Sequence, residues 1–336
     1  MKLAVAVLLL LGVVSATQMF SDEHYENEFA VFVQKYEKTY AAQEFFRRFR
    51  VFKENMDHVV RMSLDDSVTH EVAMNHFGDL TNEEYQNIFL GYQRPNRERN
   101  YEDLSGIELA DSLDWVAKGA VTGVKDQGQC GSCWAFSGTS TVESAVAIKT
   151  GELYDLSEQE SVDCSTLKNG YTNMGCNGGM YDTMWKYVKA NGGICSEDSY
   201  PYTSGTTKKT GTCQKTCTPI EETKVSNYVT VKTGSDDALM TALNVEPVSI
   251  AIEADTKSFQ LYKSGVYTDY EGCGTTLDHA VVLVGYGSCS DGDYYILRNS
   301  WGTGWGENGY MRIGRGSQYE TSGMCGLLQD PMYPVV

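Results

Sequence analysis

Three side chains in the C-terminal part of the chain have types and spacing that suit nucleophilic chemistry. Cys133 lies in Gln127-Gly-Gln-Cys-Gly-Ser-Cys133-Trp134-Ala-Phe. The apolar positions Ala135, Phe136, Val142, Ala145, Val146 and Ile148 continue from it as a buried helix, which puts Cys133 in the first turn. A helix N-terminus favours an anion, and cysteine is a nucleophile as its thiolate. His279 is the only histidine after residue 109, so any imidazole proton transfer there falls to it. Asn299 closes the strand-like run Tyr294-Tyr-Ile-Leu-Arg-Asn299. Its side-chain oxygen can accept from one ring nitrogen and leave the other facing a thiol. Each residue also has a purely structural reading. Cys133 could be half of a cystine or of a Cys-x-x-Cys redox pair with Cys130, His279 a core histidine and Asn299 a turn cap. Trp134 and Trp301 could be core residues.

The rest of the chain must hold these groups. It has 336 residues, 41% hydrophobic and 21% charged, which at roughly 150 residues per domain allows two units with full cores. Low hydrophobicity with high charge, the mark of disorder, is absent. A net charge of −18 argues against nucleic-acid partners and against docking on anionic lipid. It suits a monomer kept dispersed in an acidic or extracellular fluid. Residues 1–16 carry Lys2, an apolar run from Leu3 to Val14, and small residues at Val14 and Ala16; this reads as a signal peptide cut after Ala16. A buried helix fits less well, because the run is short and starts at Met1. No later apolar run nears the roughly 20 residues that span a bilayer. Entry into the secretory pathway, toward a lysosome-like or extracellular destination, allows disulfides.

The chain changes character near residue 108. All ten cysteines lie between Cys130 and Cys325, and 29 of 33 glycines follow residue 108. Four of five histidines, His24, His58, His70 and His76, precede it. Residues 17–108 read as helical. Tyr25, Phe29, Phe32 and Tyr36 mark one helix face behind Ser21 or Asp22 as N-cap, and Phe45, Phe49, Phe52, Met56 and Val59 mark a second. Residues 91–106, polar and holding Pro95, read as an exposed linker. A Cys-free helical segment before a disulfide-bearing globule suggests a precursor and its product, or two domains that stay joined.

Cys-Gly-Ser-Cys133-Trp, with His279 146 residues and Asn299 166 residues downstream, is followed or accompanied by a set of further motifs. These are Asp114-Trp115, Lys118-Gly-Ala-Val, Leu156-Ser-Glu-Gln, Gly175-Cys-Asn-Gly-Gly179, Tyr200-Pro-Tyr, Asp278-His279 and Asn299-Ser-Trp-Gly-Thr-Gly-Trp-Gly. In order and content they resemble a papain-like cysteine protease precursor of the cathepsin L type, the long spacings reflecting loop insertions. In the prosegment, Glu44, Arg48, Phe52 and Asn55 match the family's interspersed helix motif, with Val59 in place of Ile and Ser63 in place of Asn. Asn75-His-Phe77-Gly-Asp79 matches the second prosegment motif, with Ala73 in place of Gly.

The resemblance implies an α+β, papain-like two-lobe fold: a helical lobe, an antiparallel β-barrel-like lobe and an N-terminal helical inhibitory propeptide. The divisions are 1–16 signal peptide, 17–108 propeptide and 109–336 peptidase domain, with processing near residues 105–110, where Ala110 replaces a common Pro. Helices are expected near residues 157–164 and 180–190, and strands near 225–233, 247–254, 280–286, 294–299 and 310–313. Cys133 and His279 should face each other across the cleft. The implied activity is that of a cysteine endopeptidase, since the paired histidines of carboxydipeptidase relatives are missing. Cys133 would be the nucleophile that forms a thioester and His279 its ion-pair partner and acid. Asn299 would orient His279, and Trp301 would shield that bond. The Gln127 amide and the Cys133 N–H would form the oxyanion hole. Gly179, beside Gly178, would pair with substrate backbone.

The pocket for P2, the residue second before the cut, would use Met180, Tyr181, Ala251, Leu277, Ala280 and Asp330, with Asp278 alongside. It suggests Leu, Val, Phe or Tyr at P2, and Arg or Lys if Asp330 faces the pocket rather than solvent. The implied disulfides are Cys130–Cys176, Cys164–Cys213 and Cys273–Cys325; Cys195 and Cys217 depart from the commonest pattern and are paired by inference, leaving Cys289 over. No metal-ligand cluster appears and no cofactor is expected. Expected partners are protein and peptide substrates, the propeptide itself and cystatin-like inhibitors. Residues 17–108 would dock on the globule and run through the cleft, blocking it; they carry a net charge of −8 and residues 109–336 a net charge of −11, so docking must be apolar and local, with acid releasing it. Two rivals remain: a relative that keeps the fold as a non-catalytic binding protein, and a secreted thiol–disulfide oxidoreductase.

Overall fold

The computed structural model describes residues 19–94, 101, 104, 106–268, 272–319 and 321–336. The expected signal peptide, residues 1–16, and Pro95 and Ser105 lie outside the described residues. In the N-terminal segment, Ser21 caps α1 (Asp22–Lys35), its hydroxyl oxygen accepting from the His24 N–H. Phe29 and Phe32 of α1 and Phe52 of α2 (Ala42–Ser63) form a small core, with Phe49 and Met56 at its margin. Phe45, expected on the buried face, is 41% exposed. It sits in the first turn of α2 and meets Phe29 edge-on, while Val51 is buried instead. The segment is not all helix. β1 (His70–Val72) alternates buried and exposed residues before α3 (Asn82–Phe89), which starts at a Thr81/Glu84 capping box. Asn55 donates to the carbonyls of Gly78 and Leu80 at 2.9 and 3.0 Å, so α2 fixes the loop between β1 and α3.

After β2 (Leu113–Asp114) comes a helical layer: α4 (Cys133–Thr150), α5 (Glu158–Cys164), α6 (Tyr181–Asn191) and the single turn α7 (Ser204–Thr207). α4 is buried on nearly every face, packed between the sheet and α6. A Cβ on Gly138 would lie 2.6 Å from the Met184 sulfur, which explains a glycine in mid-helix. The remaining elements are β3 (Asn227–Thr230), α8 (Asp236–Val245), β4 (Val248–Ile252), α9 (Lys257–Gln260), β5 (Tyr262–Tyr267), β6 (His279–Cys289), β7 (Gly292–Arg298), β8 (Tyr310–Gly314) and β9 (Met332–Val335).

The strands pair in the order β1-β5-β8-β7-β6-β4-β9-β3, with β2 also on β6. The path is open, and β5 pairs parallel to β8; the lobe is therefore a mixed open sheet rather than the expected antiparallel barrel-like one. β5 gives its outer edge to β1 of the prosegment instead of closing on β3. α8, β5 and β9 fall outside the expected elements. β9 holds Pro334, normally a strand breaker, but β9 meets β4 only at Ser249↔Met332, so no ladder bond is lost there.

Four disulfides join Cys130 to Cys176, Cys164 to Cys213, Cys195 to Cys217 and Cys273 to Cys325. Cys133 is a buried free thiol and Cys289 an exposed one. Cys130 is thus not a redox partner of Cys133. Among the described residues no helix is long and apolar enough to cross a membrane.

Candidate active site

Cys133 is the first residue of α4, and the N-cap Ser132 places no side chain on the helix end. The backbone amides there point outward at the thiol's position. The preceding turn is pinned by the Cys130–Cys176 disulfide and by the Gly131 N–H, which donates to the Cys176 carbonyl at 3.0 Å. His279 begins β6, and Asn299 follows directly on β7, the antiparallel neighbour of β6. That pairing brings the two side chains together across 20 residues of sequence: His279 Nε2 and Asn299 Oδ1 are 2.9 Å apart. The Ser300 N–H also donates to Asn299 Oδ1 at 2.8 Å, which fixes that atom as the oxygen. Nε2 therefore carries the ring proton, and Nδ1, buried, has no partner. The thiol meets β6 one residue beyond the histidine, where the Ala280 N–H donates to the Cys133 sulfur at 3.5 Å.

Trp301 lies on the imidazole, ring centroids 4.6 Å apart and nearly parallel. Its indole N–H and the Ser300 hydroxyl both donate to Gln127 Oε1, at 3.2 and 2.7 Å. With its oxygen held on that side, Gln127 turns its amide nitrogen to the cleft. There it donates to the Cys130 carbonyl at 2.9 Å and to the Phe89 carbonyl of the prosegment at 3.0 Å.

The prosegment fills the cleft. Phe77, Tyr85 and Phe89 set ring edges against Trp301 at 5.3, 5.5 and 6.4 Å. Beyond Phe89, the Gly179 N–H donates to the Gly91 carbonyl at 2.9 Å and the Gln93 N–H to the Gly179 carbonyl at 3.0 Å. The Tyr92 N–H donates to the Asp278 carbonyl at 2.8 Å. Gly91 passes so close that a Cβ would lie 2.3 Å from the Gly131 carbonyl oxygen, and a Cβ on Gly178 would lie 2.7 Å from that of Gly91. Tyr92 joins the apolar cluster of Tyr181, Ala251, Leu277 and Ala280 and stacks on Tyr181 at 5.4 Å. Met180 is half-buried at the start of α6. Asp330 is fully buried, not exposed; the Tyr92 hydroxyl donates to its carboxylate and the Tyr181 hydroxyl to its backbone carbonyl.

Burial dominates the electrostatics. It pushes the Cys133 thiol up to about 11, against amide donation from Ala280 and Gly91. Burial also pulls His279 down to about 4, opposed by the bond to Asn299. Both shifts favour neutral thiol and neutral imidazole. Asp278 is raised to about 8, first by burial, then by Asp255 and Glu253.

Cys133, His279, Asn299 and Gln127 thus line one cleft, together with Tyr181, Ala251, Leu277, Ala280 and Asp330 of the candidate P2 set, whereas Met180 is bonded through its backbone to Asn173 instead. The prosegment runs through the cleft as expected, but Gly91 to Gln93 are the strand within it rather than the start of an exposed linker over 91–106; which residues, Phe89 and Gly91 to Gln93, occupy it had one local signal, a glycine in an otherwise bulky, polar stretch.

A free thiol on a helix N-terminus, an Asn-held imidazole and a covering prosegment define a cysteine hydrolase in its closed form. Residues 109–335 match the family described as papain family cysteine protease, and residues 29–85 match the cathepsin propeptide inhibitor domain. The chain is 44% identical over 301 residues to "Thiol protease SEN102" of Hemerocallis sp., covering 86% of this chain and 80% of that one. The recombinant stem bromelain precursor superposes with a TM-score of 0.84 at 34% identity, covering 93% of this chain and 99% of that one. Digestive procathepsin L 3 from the larval midgut of Tenebrio molitor gives 0.81 at 35%, with coverage of 93% and 99%. The chain belongs to the papain family of cysteine proteases, and it is made as a propeptide-bearing zymogen.

Proposed function

We propose that this zymogen, after removal of residues 1–16 and release of residues 17–108, yields a cysteine endopeptidase of residues 109–336. It would act in the secretory pathway, in a lysosome-like compartment or outside the cell. The observation that carries this reading is the His279–Asn299 pair: Nε2 is committed at 2.9 Å, Nδ1 is unpartnered, and the thiol sits at the neighbouring amide. With the cleft open to water, the thiolate–imidazolium pair becomes accessible. Cys133 attacks the scissile carbonyl and forms a thioester, His279 protonates the departing amine, and water completes hydrolysis. The Gln127 amide and the Cys133 N–H receive the oxyanion. The Phe89 carbonyl on Gln127 Nε2 is a ground-state stand-in for it.

The prosegment escapes this chemistry by direction. Its Tyr92, in the P2 pocket, lies C-terminal to the carbonyl on Gln127, whereas a substrate's P2 residue lies N-terminal to its scissile carbonyl. The chain therefore runs backwards, and no peptide bond is in register for attack. The pocket itself joins an apolar wall to a buried carboxylate that accepts from a phenol. This favours Leu, Val, Phe and Tyr at P2, with Arg and Lys pairing with Asp330.

Acid-treated chain should cleave a fluorogenic Phe-Arg peptide, and both the epoxide E-64 and Cys133→Ala should abolish cleavage. A processed, folded chain with an intact thiol and no cleavage would defeat the reading. On peptides carrying Phe, Tyr or Arg at P2, Asp330→Ala should lower the Arg/Phe and Tyr/Phe ratios; unchanged ratios would remove Asp330 from specificity.

A further inference from the structure

Two bonds cross from α4, the helix that carries Cys133, to the strands that carry its partners. The Ser137 hydroxyl donates to the Val281 carbonyl of β6 at 2.9 Å. Arg298, the last residue of β7, donates through Nη1 to the Ser140 hydroxyl. Ser137 and Ser140 stand three apart on α4, so they share one face of the helix. Arg298 pairs with Val282 of β6 on one side and Tyr310 of β8 on the other, an interior place in the sheet. Leu297 turns into the core of the sheet lobe, and strand alternation sends Arg298 to the opposite face, toward α4. The same guanidinium reaches a third element. Its Nη2 lies 2.9 Å from the Thr122 hydroxyl and 3.2 Å from the Thr122 carbonyl, and it also donates to the Gly123 carbonyl. That loop runs on to Gln127.

Every one of these acceptors is a neutral oxygen. Arg298 is buried, yet among the described residues no carboxylate forms an ion pair with it. Glu158, which lines the same small cavity, and Glu143 are both paired with Lys125. Burying a cation against neutral acceptors carries a desolvation cost that no ion pair offsets, and an apolar side chain there serves stability at least as well. What the arginine supplies is geometry. Its planar fork ties three elements at fixed angles, which neither a thioether nor a point-charge ammonium can do.

We propose that Arg298 is a positioning residue of the protease. It locks the strand of Asn299 to the helix of Cys133 and to the loop of Gln127, and so sets the spacing of thiolate and imidazolium. This rests on the proteolytic reading above. Asn299 is the next residue along the chain, and its Oδ1 holds His279 Nε2 at 2.9 Å. A slip of β7 against α4 therefore moves the imidazole relative to the sulfur, and a misplacement of about 1 Å can cost about 10²-fold in rate. None of these bonds goes to a residue of the P2 set, so substrate binding is left as it is.

The test compares acid-treated full-length chains of wild type, Arg298→Met, Arg298→Lys, Ser140→Ala and the Arg298→Met/Ser140→Ala double variant. Hydrolysis of the Phe-Arg peptide is read per site titrated with E-64. Arg298→Met should lower kcat at least about tenfold and leave KM within about twofold. Arg298→Lys should restore part of the loss. The pH profile of Cys133 alkylation by iodoacetamide should move up in Arg298→Met, because a loosened imidazolium holds the thiolate less well. Ser140→Ala should lower kcat by about threefold or more, and the double variant should be no slower than Arg298→Met, since both changes remove one shared bond. Fewer titratable sites with an unchanged kcat per site and an unchanged alkylation profile would make Arg298 a purely structural residue and overturn the proposal. Additive losses in the double variant would overturn the tie to α4. Should Arg298→Met not fold, Ser140→Ala decides alone: wild-type kcat and alkylation profile overturn the proposal. Wild type that is silent on the peptide sinks the proteolytic reading and this proposal together; active wild type with variants that match it sinks this proposal alone.

Discussion

A single buried atom pair governs whether the closed molecule is inert. With its thiol pushed up to about 11, Cys133 in the zymogen is thiolate to a fraction on the order of 10⁻⁴ at pH 7. Alkylation of Cys133 by iodoacetamide at pH 7 should therefore be at least about 10³-fold slower in the intact chain than in the processed one; equal rates would show that burial does not suppress the nucleophile. Gln127 acts on the other side of the reaction. Gln127→Ala in the processed enzyme should cost about 10²–10³ in kcat with little change in KM, because its amide serves the oxyanion rather than the bound substrate. Gly91 is the residue on which the seal depends. A Cβ there would meet the Gly131 carbonyl oxygen at 2.3 Å, backbone against backbone, so Gly91→Ala should unseat the strand. Intact Gly91→Ala chain, in a Glu108→Pro background if processing intervenes, should hydrolyse the Phe-Arg peptide at pH 7, where the parent chain stays silent.

At the scale of elements, α2, α3 and the loop between them form the clamp that presents Phe77 and Phe89 to Trp301. Arg48 of α2 donates to Glu84 of α3 at 2.7 Å and to the Asp79 carbonyl at 2.8 Å. Burial pushes Glu84 up, but the Thr81 N–H, Arg48 and Arg47 outweigh it and hold the carboxylate below its usual range. Its contribution is present above the ordinary carboxylate pKa and is lost only as pH falls below it. His76 titrates earlier. It lines a cavity of about 510 Å³ between the prosegment and the globule, faced by Lys38, Asp79, Glu37, Glu44 and Arg48 from one side and Asp126 and Lys208 from the other. Burial, then Lys38, pulls it to about 4, with Asp79 opposing. The docked form thus holds His76 neutral while the released form takes up a proton below about 6.5. Docking is at full strength above that pH and weakens as pH falls toward about 4. At pH 5 the loss is about 2 kcal/mol. His76→Gln should therefore slow processing at pH 5 by up to about 30-fold while leaving pH 7 unchanged; the same pH–rate profile in both chains would rule His76 out as the trigger.

For the whole molecule, charge and apolar contact pull in opposite directions. Prosegment and globule are both acidic, at −8 and −11, so they repel at long range. What holds them is an aromatic wedge shared with the core of the sheet lobe, a strand added to β5, and a tyrosine in an apolar pocket. Raising salt from about 0.05 to about 0.5 M shortens the Debye length from above 10 Å to under 5 Å; it screens the net repulsion together with the exposed Glu71–Lys263 ion pair between β1 and β5, and an exposed pair contributes little. Peptide hydrolysis by the intact chain at pH 7 should stay at baseline across that range. Release by salt would mean that ion pairs, not the wedge, hold the prosegment.

Cys133, His279, Asn299 and Gln127 were legible in the sequence because their evidence is local: a thiol opening an apolar helical run, a lone histidine, an Asn ending a strand, and short motifs around each. The helices near residues 157–164 and 180–190 came from the family resemblance rather than from local pattern, and the structure forms α5 and α6 there. The open sheet, β5 and β9 were not, since their pairing depends on partners far away in the chain and on β1 taking an edge. That the prosegment enters the cleft was an expectation; which of its residues do so belongs to tertiary structure. Tyr92 meets Asp330 across 238 residues and Gln127 meets Phe89 across 38. No periodicity encodes which backbone enters a pocket or in which direction it runs. Sequence alone determined which atoms could react. Packing decided that in this closed form they are dry, neutral and occupied, because burial acts on a charge only once distant segments have excluded water from around it.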